Sequence, residues 1–593
     1  MTPWHGELAG VLCLIALAIY FIAISWRKWP DPLVDFGREL YIPWRIANGE
    51  VLYRELGGHF GPLAQYFNGL LFKIFGPGLM VLVTANLIIF AIILLTFYLI
   101  ARRAWGAVGA VAGTAVFIAV FGFSQLTRIS NYTYAAPYSH EATHGMLVVL
   151  LLVAVLLRWL EDPLPRWSLV AGLLFGLAAL LKAEFVFAGG LLGMTTLVVR
   201  WRYAGPPRLS SIAAAIAGAV APVLLCTIYF ARFFPFTVAW KDANHGWLRF
   251  AMPGGVHAVS GVQAAFTGLD QVQSHLHDHL LAAAIAGGVI GAIALLVWIS
   301  KRITKRFAFV ALALISAVIV SVISTRAIDW PEIGKTLLGL LLIYTPAQLF
   351  LMVIKRVEPE NFPRGAARLL LAVLALAMLT RMALNGRIYH YGFYQAAIAG
   401  CIVPAIVVCE LAEWLRTTAR ERILLVVVSA ALFGPGVYVI AQGSRTLFAA
   451  KTVAVGEGAD LFYAFDRRVD LTAEVVAAVV KALANDSSAR TLLVIPEGVI
   501  INYLARIPTT VPDYFYWVTS LAATEQLEAN PPDRVLLISR DLREYGIARY
   551  GANAGQGREL LEWLSAHYRQ VAHAGGDPLD VRQRGAILFQ RTK

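Results

Sequence analysis

The chain has 593 residues, of which 59% are hydrophobic and only 15% charged, and it carries a net charge of +13. Soluble domains lie nearer half apolar and a quarter charged, so this composition excludes a water-soluble enzyme, a disordered chain and a disulfide-stapled secreted scaffold. The basic excess does not imply nucleic acid, because much of it falls in short loops between apolar runs, where membrane topology accounts for it.

The first apolar run, Leu8 to Trp26, is too long for a signal-peptide core and leads into Arg27 and Lys28 rather than a small-residue cleavage site. It predicts a retained span. Further runs cover Leu79–Ala101, Gly106–Phe123, Gly145–Leu157, Ser168–Leu181, Phe185–Val199, Ser211–Phe230, Leu280–Ser300, Phe307–Ser324, Thr336–Ile354, Ala366–Leu384, Gly392–Glu410 and Ile423–Ala441. Together they predict an all-α polytopic membrane domain over residues 1–444, with about thirteen transmembrane helices. The four cysteines lie in these runs without metal or haem spacing and read as small buried hydrophobes.

Arg102/Arg103, Arg158/Arg166, Arg200/Arg202, Lys301/Arg302, Lys355/Arg356 and Arg416/Arg420 fall in alternate loops, which the positive-inside rule places in the cytoplasm together with the N-terminus. The long segments 27–78, 124–144 and 231–279 then face outward, the last as a candidate lid. Residues 445–593 also face outward and predict a small extracytoplasmic α/β domain. There, short apolar runs (Thr491–Ile495, Arg534–Ile538, Ala586–Phe589) alternate with helical patterns (Ala473–Leu483, Gly557–Ala566). The expected location is the inner (plasma) membrane.

Ionisable residues collect at the outer ends of the spans. If the stretch Asp35 to Glu50 is helical, Asp35 and Glu39 lie one turn apart on one face, Tyr41 and Trp44 suit the headgroup layer, and Gly49 ends the element. Spacing leaves open whether these acids do chemistry or merely cap and pair locally with Arg38 or Lys28. The second outer segment ends in His140-Glu141-Ala142-Thr143-His144, literally the H-E-x-x-H spacing of zinc peptidases. Lys182 and Glu184 bracket a tight outer hairpin, where they either pair with each other or offer an ammonium to a phosphate. A last cluster, Arg381, Arg387, Tyr389, His390, Tyr391 and Tyr394, mixes cations with aromatics, as an interfacial belt or a site for phosphate and sugar would.

Asp35, followed by Gly49-Glu50-Val51-Leu52-Tyr53-Arg54-Glu55 and His59-Phe60-Gly61-Pro62-Leu63-Ala64-Gln65-Tyr66-Phe67, resembles the first-loop signature of GT-C glycosyltransferases. It is similar to that of protein O-mannosyltransferases and lipid A aminoarabinose transferases, which take sugars from polyprenyl phosphate. The resemblance implies a GT-C-like fold and an integral membrane glycosyltransferase that moves a hexosyl or pentosyl group from a polyprenyl-phosphate sugar to a lipid, glycan or protein acceptor. It implies Asp35 as catalytic base, Glu39 as its helper, and Glu141 or His144 at the second acidic position, at the mouth of the fourth span. The sequence departs from the pattern in spacing its acids four apart and in carrying Phe60-Gly61-Pro62-Leu63 where the family has Gly-Lys-Pro-Pro. The phosphate contact therefore falls to Lys182 and Arg387, and the expected substrate-binding set is His59, His140, His144, Lys182, Glu184, Arg387, Tyr389, His390 and Tyr391. No cofactor is expected, although oligosaccharide-transferring relatives use a divalent cation.

Three competing readings make distinct demands. A lipid-linked-sugar transporter or flippase needs ionisable groups near mid-membrane and paired broken helices. A metalloprotease needs zinc on the His140 and His144 imidazoles, with Glu141 as base. A purely structural protein needs the outer clusters not to converge.

Overall fold

The computed structural model describes residues 3–129, 132–251, 261–355, 357–389, 392–516 and 521–592. Among the described residues, 11 helices are long and apolar enough to cross a membrane, and Pro165–Ala179 is a shorter apolar one. The elements that position the site are α1 (Pro3–Ser25), α2 (Gly37–Ala47), α3 (Leu63–Phe75), α4 (Leu79–Val116), α5 (His140–Glu161), α6 (Pro165–Ala179) and α7 (Ala183–Ala204).

Eleven helices and the expected thirteen runs differ at two places. The runs Leu79–Ala101 and Gly106–Phe123 form one helical stretch, broken only at Gly106, whose backbone takes φ 75 and ψ −174. The positive φ is open to glycine without a Cβ clash, and there the chain reverses. Phe97 packs on Phe117 with ring centroids 5.7 Å apart, and Phe90 packs on Phe123 at 5.5 Å, so the two legs lie antiparallel and this stretch traverses the bundle twice. The second place is α6, whose 15 residues rise about 22 Å, short of a full hydrocarbon core of roughly 30 Å.

The two ends of the bundle are chemically unlike. At one end the short basic loops tie neighbouring helices together: Arg368 pairs with Glu413 at 2.9 Å, Lys301 donates to the Leu415 carbonyl at 2.8 Å, and Arg103 pairs with Glu161. At the other end lie α2, α3, the start of α5, the α6–α7 turn and the C-terminal domain.

That domain opens with a hairpin of β1 (Lys451–Val455) and β2 (Phe462–Phe465) and continues into a four-stranded sheet. The sheet runs β3 (Leu492–Ile495), β4 (Arg534–Ile538), β6 (Gly585–Arg591), β5 (Tyr568–Gly575), with β3–β4 parallel and the other pairs antiparallel. The helix Ala419–Ala449 runs past residue 445 before β1 begins, so the rise in charge that marks the boundary in sequence falls inside its last turns.

The domain is docked on the first loop rather than hung from a linker. An ideal Cβ on Gly37 would lie 2.3 Å from the Ile500 nitrogen, so only glycine lets α2 approach the helix Val499–Ala505 this closely. The Tyr503 ring packs on Trp44 at 6.1 Å and Phe72 at 6.3 Å, and the Tyr41 hydroxyl accepts the Thr509 N–H at 3.0 Å. One continuous buried core runs from Phe36 and Leu40 of the first loop into Val476, Ile500 and Tyr503.

Candidate active site

Asp35 is not on the helix that its spacing suggested. It precedes α2 with φ 58, in the left-handed region that costs an L residue energy and that Asp and Asn tolerate best among side-chain-bearing residues. Its backbone N–H donates to Glu497 Oε1 at 2.9 Å, and Arg540 Nε holds the other oxygen of Glu497 at 2.8 Å. The C-terminal domain thus fixes the backbone of the candidate base.

Arg38 joins the acids. Its Nη1 donates to Asp35 Oδ1 at 3.1 Å, its Nε to Glu39 Oε1 at 3.1 Å and its Nη2 to the Tyr138 carbonyl at 2.7 Å. The last bond links α2 to the approach of α5. Burial works against a charge on this guanidinium, but Asp35 and Glu39 beside it raise its pKa further and keep it protonated.

Glu39 has no exposed side-chain surface. Its Oε2 accepts the His140 backbone N–H at 3.0 Å and His140 Nδ1 at 2.6 Å. Burial alone would push its carboxyl up, yet the His140 hydrogen bond and the Arg38 charge outweigh burial and hold it below the ordinary range. Glu141 is equally enclosed, with Oε1 accepting from Gln65 Nε2 at 2.9 Å and Oε2 from Ser139 Oγ at 2.9 Å. The Asp35 side chain, by contrast, is 31% exposed. Of these three acids, it alone combines a charged partner with a partly exposed side chain.

Lys182 closes the cluster from the α6–α7 turn. The first loop reaches it because Gly61 lies against the chain there: Gly61 N–H donates to the Leu181 carbonyl at 2.8 Å, and a Cβ would lie 2.2 Å from the Leu180 oxygen. That contact sets the Phe60 ring beneath Lys182 Nζ at 4.1 Å, with the Arg38 guanidinium 5.8 Å from the same ring. Both cations are buried. Glu184 accepts from Arg381 at 2.7 Å and from the Tyr394 hydroxyl at 2.8 Å, and lies 3.4 Å from Lys182 Nζ. Burial pulls the Lys182 ammonium down to about 8, against the opposing charge of Glu184.

Several expected residues fall elsewhere. Arg387 stacks on Phe266 and Tyr389 at 5.3 Å each, and Tyr389 donates to Glu332. The last cluster therefore divides: Arg381 and Tyr394 join Lys182, while Arg387 and Tyr389 brace the loop before Gly334. His390 and Tyr391 lie outside the described residues. His59 does stay beside the acids, lining one recess with Arg38, Glu39 and Glu141, and its ring stacks on Phe515 at 5.3 Å, packing the first loop against the C-terminal domain. His144 is buried with its edge against Phe67 at 5.2 Å.

The zinc-peptidase spacing does not become a zinc site. His140 Nδ1 is bonded to Glu39, and Nε2 faces the Asn86 amide nitrogen at 3.0 Å. The amide donates and Nε2 accepts, so Nδ1 carries the proton toward Glu39 and no lone pair is left for a metal. Among the described residues no group of three or more His, Cys, Asp or Glu is arranged to hold a metal ion.

Sequence reasoning missed Arg38 as the centre of the site, along with Gln65, Asn86, Phe60 and the C-terminal domain's Glu497. Arg38 sits between the two acids in sequence, which was the available signal. The others come together only through tertiary contacts.

No family profile and no curated protein sequence matches the chain. Solved structures do match. The Archaeoglobus fulgidus oligosaccharyltransferase tethered with an acceptor peptide containing the NVT sequon is similar over 100% of this chain and 75% of its own, at 14% identity and a TM-score of 0.50. The chain has a GT-C-like fold. ArnT from Cupriavidus metallidurans bound to undecaprenyl phosphate is also similar at 14% identity, over 98% of this chain and 97% of its own, with a TM-score of 0.45. Within the GT-C-like fold the acids and cations described above occupy the end of the bundle where the first loop, α5 and the C-terminal domain meet.

Proposed function

We propose that this protein is an integral membrane glycosyltransferase that moves a sugar from a polyprenyl-phosphate donor to an acceptor hydroxyl, with Asp35 as general base. The observation that carries this reading is the convergence of a partly exposed carboxylate on Asp35 with two buried cations, Arg38 and Lys182, that share the Phe60 ring. The loops at the opposite end of the bundle are the basic ones, and the positive-inside rule supports an extracytoplasmic site. The GT-C-like fold supports the same reading.

In the proposed reaction the acceptor oxygen attacks the anomeric carbon and its proton passes to Asp35. The bond from that carbon to the phosphate oxygen breaks, and its electron pair leaves with the polyprenyl phosphate. Arg38 and Lys182 offset the charge that develops on the leaving group, in a setting too dry for water to do so. Glu39 and Glu141, with every carboxylate oxygen already hydrogen-bonded, serve as positioning residues for Arg38, His140 and Gln65 rather than as proton carriers. A divalent cation is not needed for these steps.

Purified protein incubated with radiolabelled undecaprenyl-phosphate glucose, mannose or aminoarabinose, with membranes supplying acceptors, is expected to release undecaprenyl phosphate and transfer label. No turnover with any donor would overturn the reading.

Lys182 gives a second check. In the free enzyme its ammonium discharges as pH rises through about 8, so kcat/KM for the donor should fall above that pH, since this parameter reports groups in the free enzyme. Lys182→Arg, whose guanidinium stays charged, should retain donor use to higher pH. Identical profiles for the two proteins would remove Lys182 from phosphate binding.

A further inference from the structure

Asp35 presents its carboxylate from a strained stretch of backbone. Its φ of 58 lies at the centre of a three-residue turn, closed by the Phe36 N–H donating to the Val34 carbonyl at 2.6 Å. Turns of this kind with a positive central φ are rare and strained, and a residue keeps such a conformation only where its surroundings over-determine it. Asp31 secures the near side of the turn, where its Oδ1 accepts the Leu33 and Val34 N–H groups at 2.9 and 2.8 Å. On the far side the Asp35 N–H points to the C-terminal domain and donates to Glu497 Oε1 at 2.9 Å.

The topology of that domain explains why an acceptor stands there. Strands β3 and β4 are parallel, with Ile495 opposite Leu537, so the chain leaves both at the same edge of the sheet. Glu497 comes two residues after β3 and Arg540 two after β4, and they meet with Arg540 Nε donating to Glu497 Oε2 at 2.8 Å. Their side chains are only 2% and 3% exposed. An ion pair so thoroughly buried is a poor adhesive, because apolar side chains of the same volume often hold as well or better. It supplies what an apolar contact cannot. A carboxylate accepts on both oxygens, so Glu497 takes the Arg540 guanidinium and the Asp35 N–H at once, whereas glutamine has one accepting oxygen and would turn its amide nitrogen against one of the two donors.

We propose that Glu497, oriented by Arg540, is a positioning residue for sugar transfer: it holds the Asp35 backbone in the turn that aims the carboxylate at the acceptor, which makes the docked C-terminal domain part of the transfer site. The inference rests on the reading of Asp35 as general base. The two cations assigned to the donor phosphate have anchors of their own, Arg38 in Glu39 and the Tyr138 carbonyl and Lys182 in Glu184. Loss of the Glu497 bond therefore slows the chemical step and leaves donor binding in place.

The test measures kcat and donor KM with undecaprenyl-phosphate glucose, mannose and aminoarabinose for the full-length wild type, Glu497→Gln, Glu497→Gln/Arg540→Met and Tyr41→Phe. In Glu497→Gln the buried guanidinium claims the single amide oxygen and the amide nitrogen opposes the Asp35 N–H. Its kcat should fall about 10²-fold, the cost of misplacing a reacting group by about 1 Å, with donor KM changed by no more than about twofold. With the guanidinium gone the amide oxygen is free to take the Asp35 N–H, so the double variant should regain kcat to within about tenfold of wild type. Tyr41→Phe removes a different bond between α2 and the domain, the one from the Thr509 N–H, and should lower the melting temperature while leaving kcat unchanged. A Glu497→Gln protein with wild-type kcat overturns the inference, and so does a folded double variant that turns over no faster than about 10²-fold below wild type. In either case an active wild type leaves the glycosyltransferase reading standing. Should Glu497→Gln fail to fold, the double variant decides by the same criterion. A wild type that uses no donor overturns both readings.

Discussion

Asp35→Asn is expected to leave the protein folded and to cut sugar transfer by about 10²- to 10⁴-fold, the usual contribution of a positioned general base. Asparagine has the size of aspartate and tolerates the same left-handed backbone, so φ 58 and the N–H bond to Glu497 should both persist. The pair with Arg38 is partly exposed on the Asp35 side, and loss of one such contact changes stability little. What disappears is the oxygen that can take a proton. Glu39→Gln should behave oppositely. Its carboxylate is enclosed and held by Arg38 and His140, so the variant should lose thermal stability before it loses a base. Measuring kcat/KM and melting temperature for both variants separates the roles. An Asp35→Asn protein with wild-type turnover would move the base to another residue.

The parts of this fold that could be read from sequence are those that local physics determines. Apolar runs and their basic loops mark helices and ends, because a span must be long and greasy and its flanks respond to topology. Strands β3, β4 and β6 showed as short apolar runs because their residues are largely buried. The edge strand β5, whose residues are largely exposed, carries no such pattern and was not foreseen. Gly106 was read as the start of a run, which its turn makes it. The site was legible in its membership and not in its wiring. Glu39 and His140 were each singled out, but their bond spans 101 positions, and Asp35 and Glu497 are 462 apart. Arg381 and Arg387 look like one cluster in sequence, yet Ala383 takes φ 43 and the Leu384 N–H turns to the Thr267 carbonyl at 2.9 Å. That bend sends the two cations to different places, and only Arg381 reaches Glu184.

Arg38→Met is expected to abolish transfer and to destabilise the protein by about 3–5 kcal/mol, the range seen when one partner of a buried ion pair is removed. Methionine keeps an unbranched stem of similar length but removes the guanidinium that lies over Phe60 and Phe515, leaving Glu39 buried opposite no cation and the Tyr138 carbonyl without its donor. Loss of activity alone would not distinguish a collapsed site from a missing phosphate partner. The double variant Arg38→Met/Glu39→Gln does so, because replacing both members of a buried pair by neutral groups removes the uncompensated charge. Its melting temperature should return most of the way to wild type. Its transfer should stay at background, because neither substitution restores a cation for the departing phosphate. Arg38→Lys provides the graded case: an ammonium keeps the charge but cannot reach Asp35, Glu39 and the Tyr138 carbonyl at once from a single nitrogen, so partial stability and a raised donor KM are expected. A double variant that regains both stability and turnover would reduce Arg38 to a structural counter-ion and leave Lys182 as the cation that faces the phosphate.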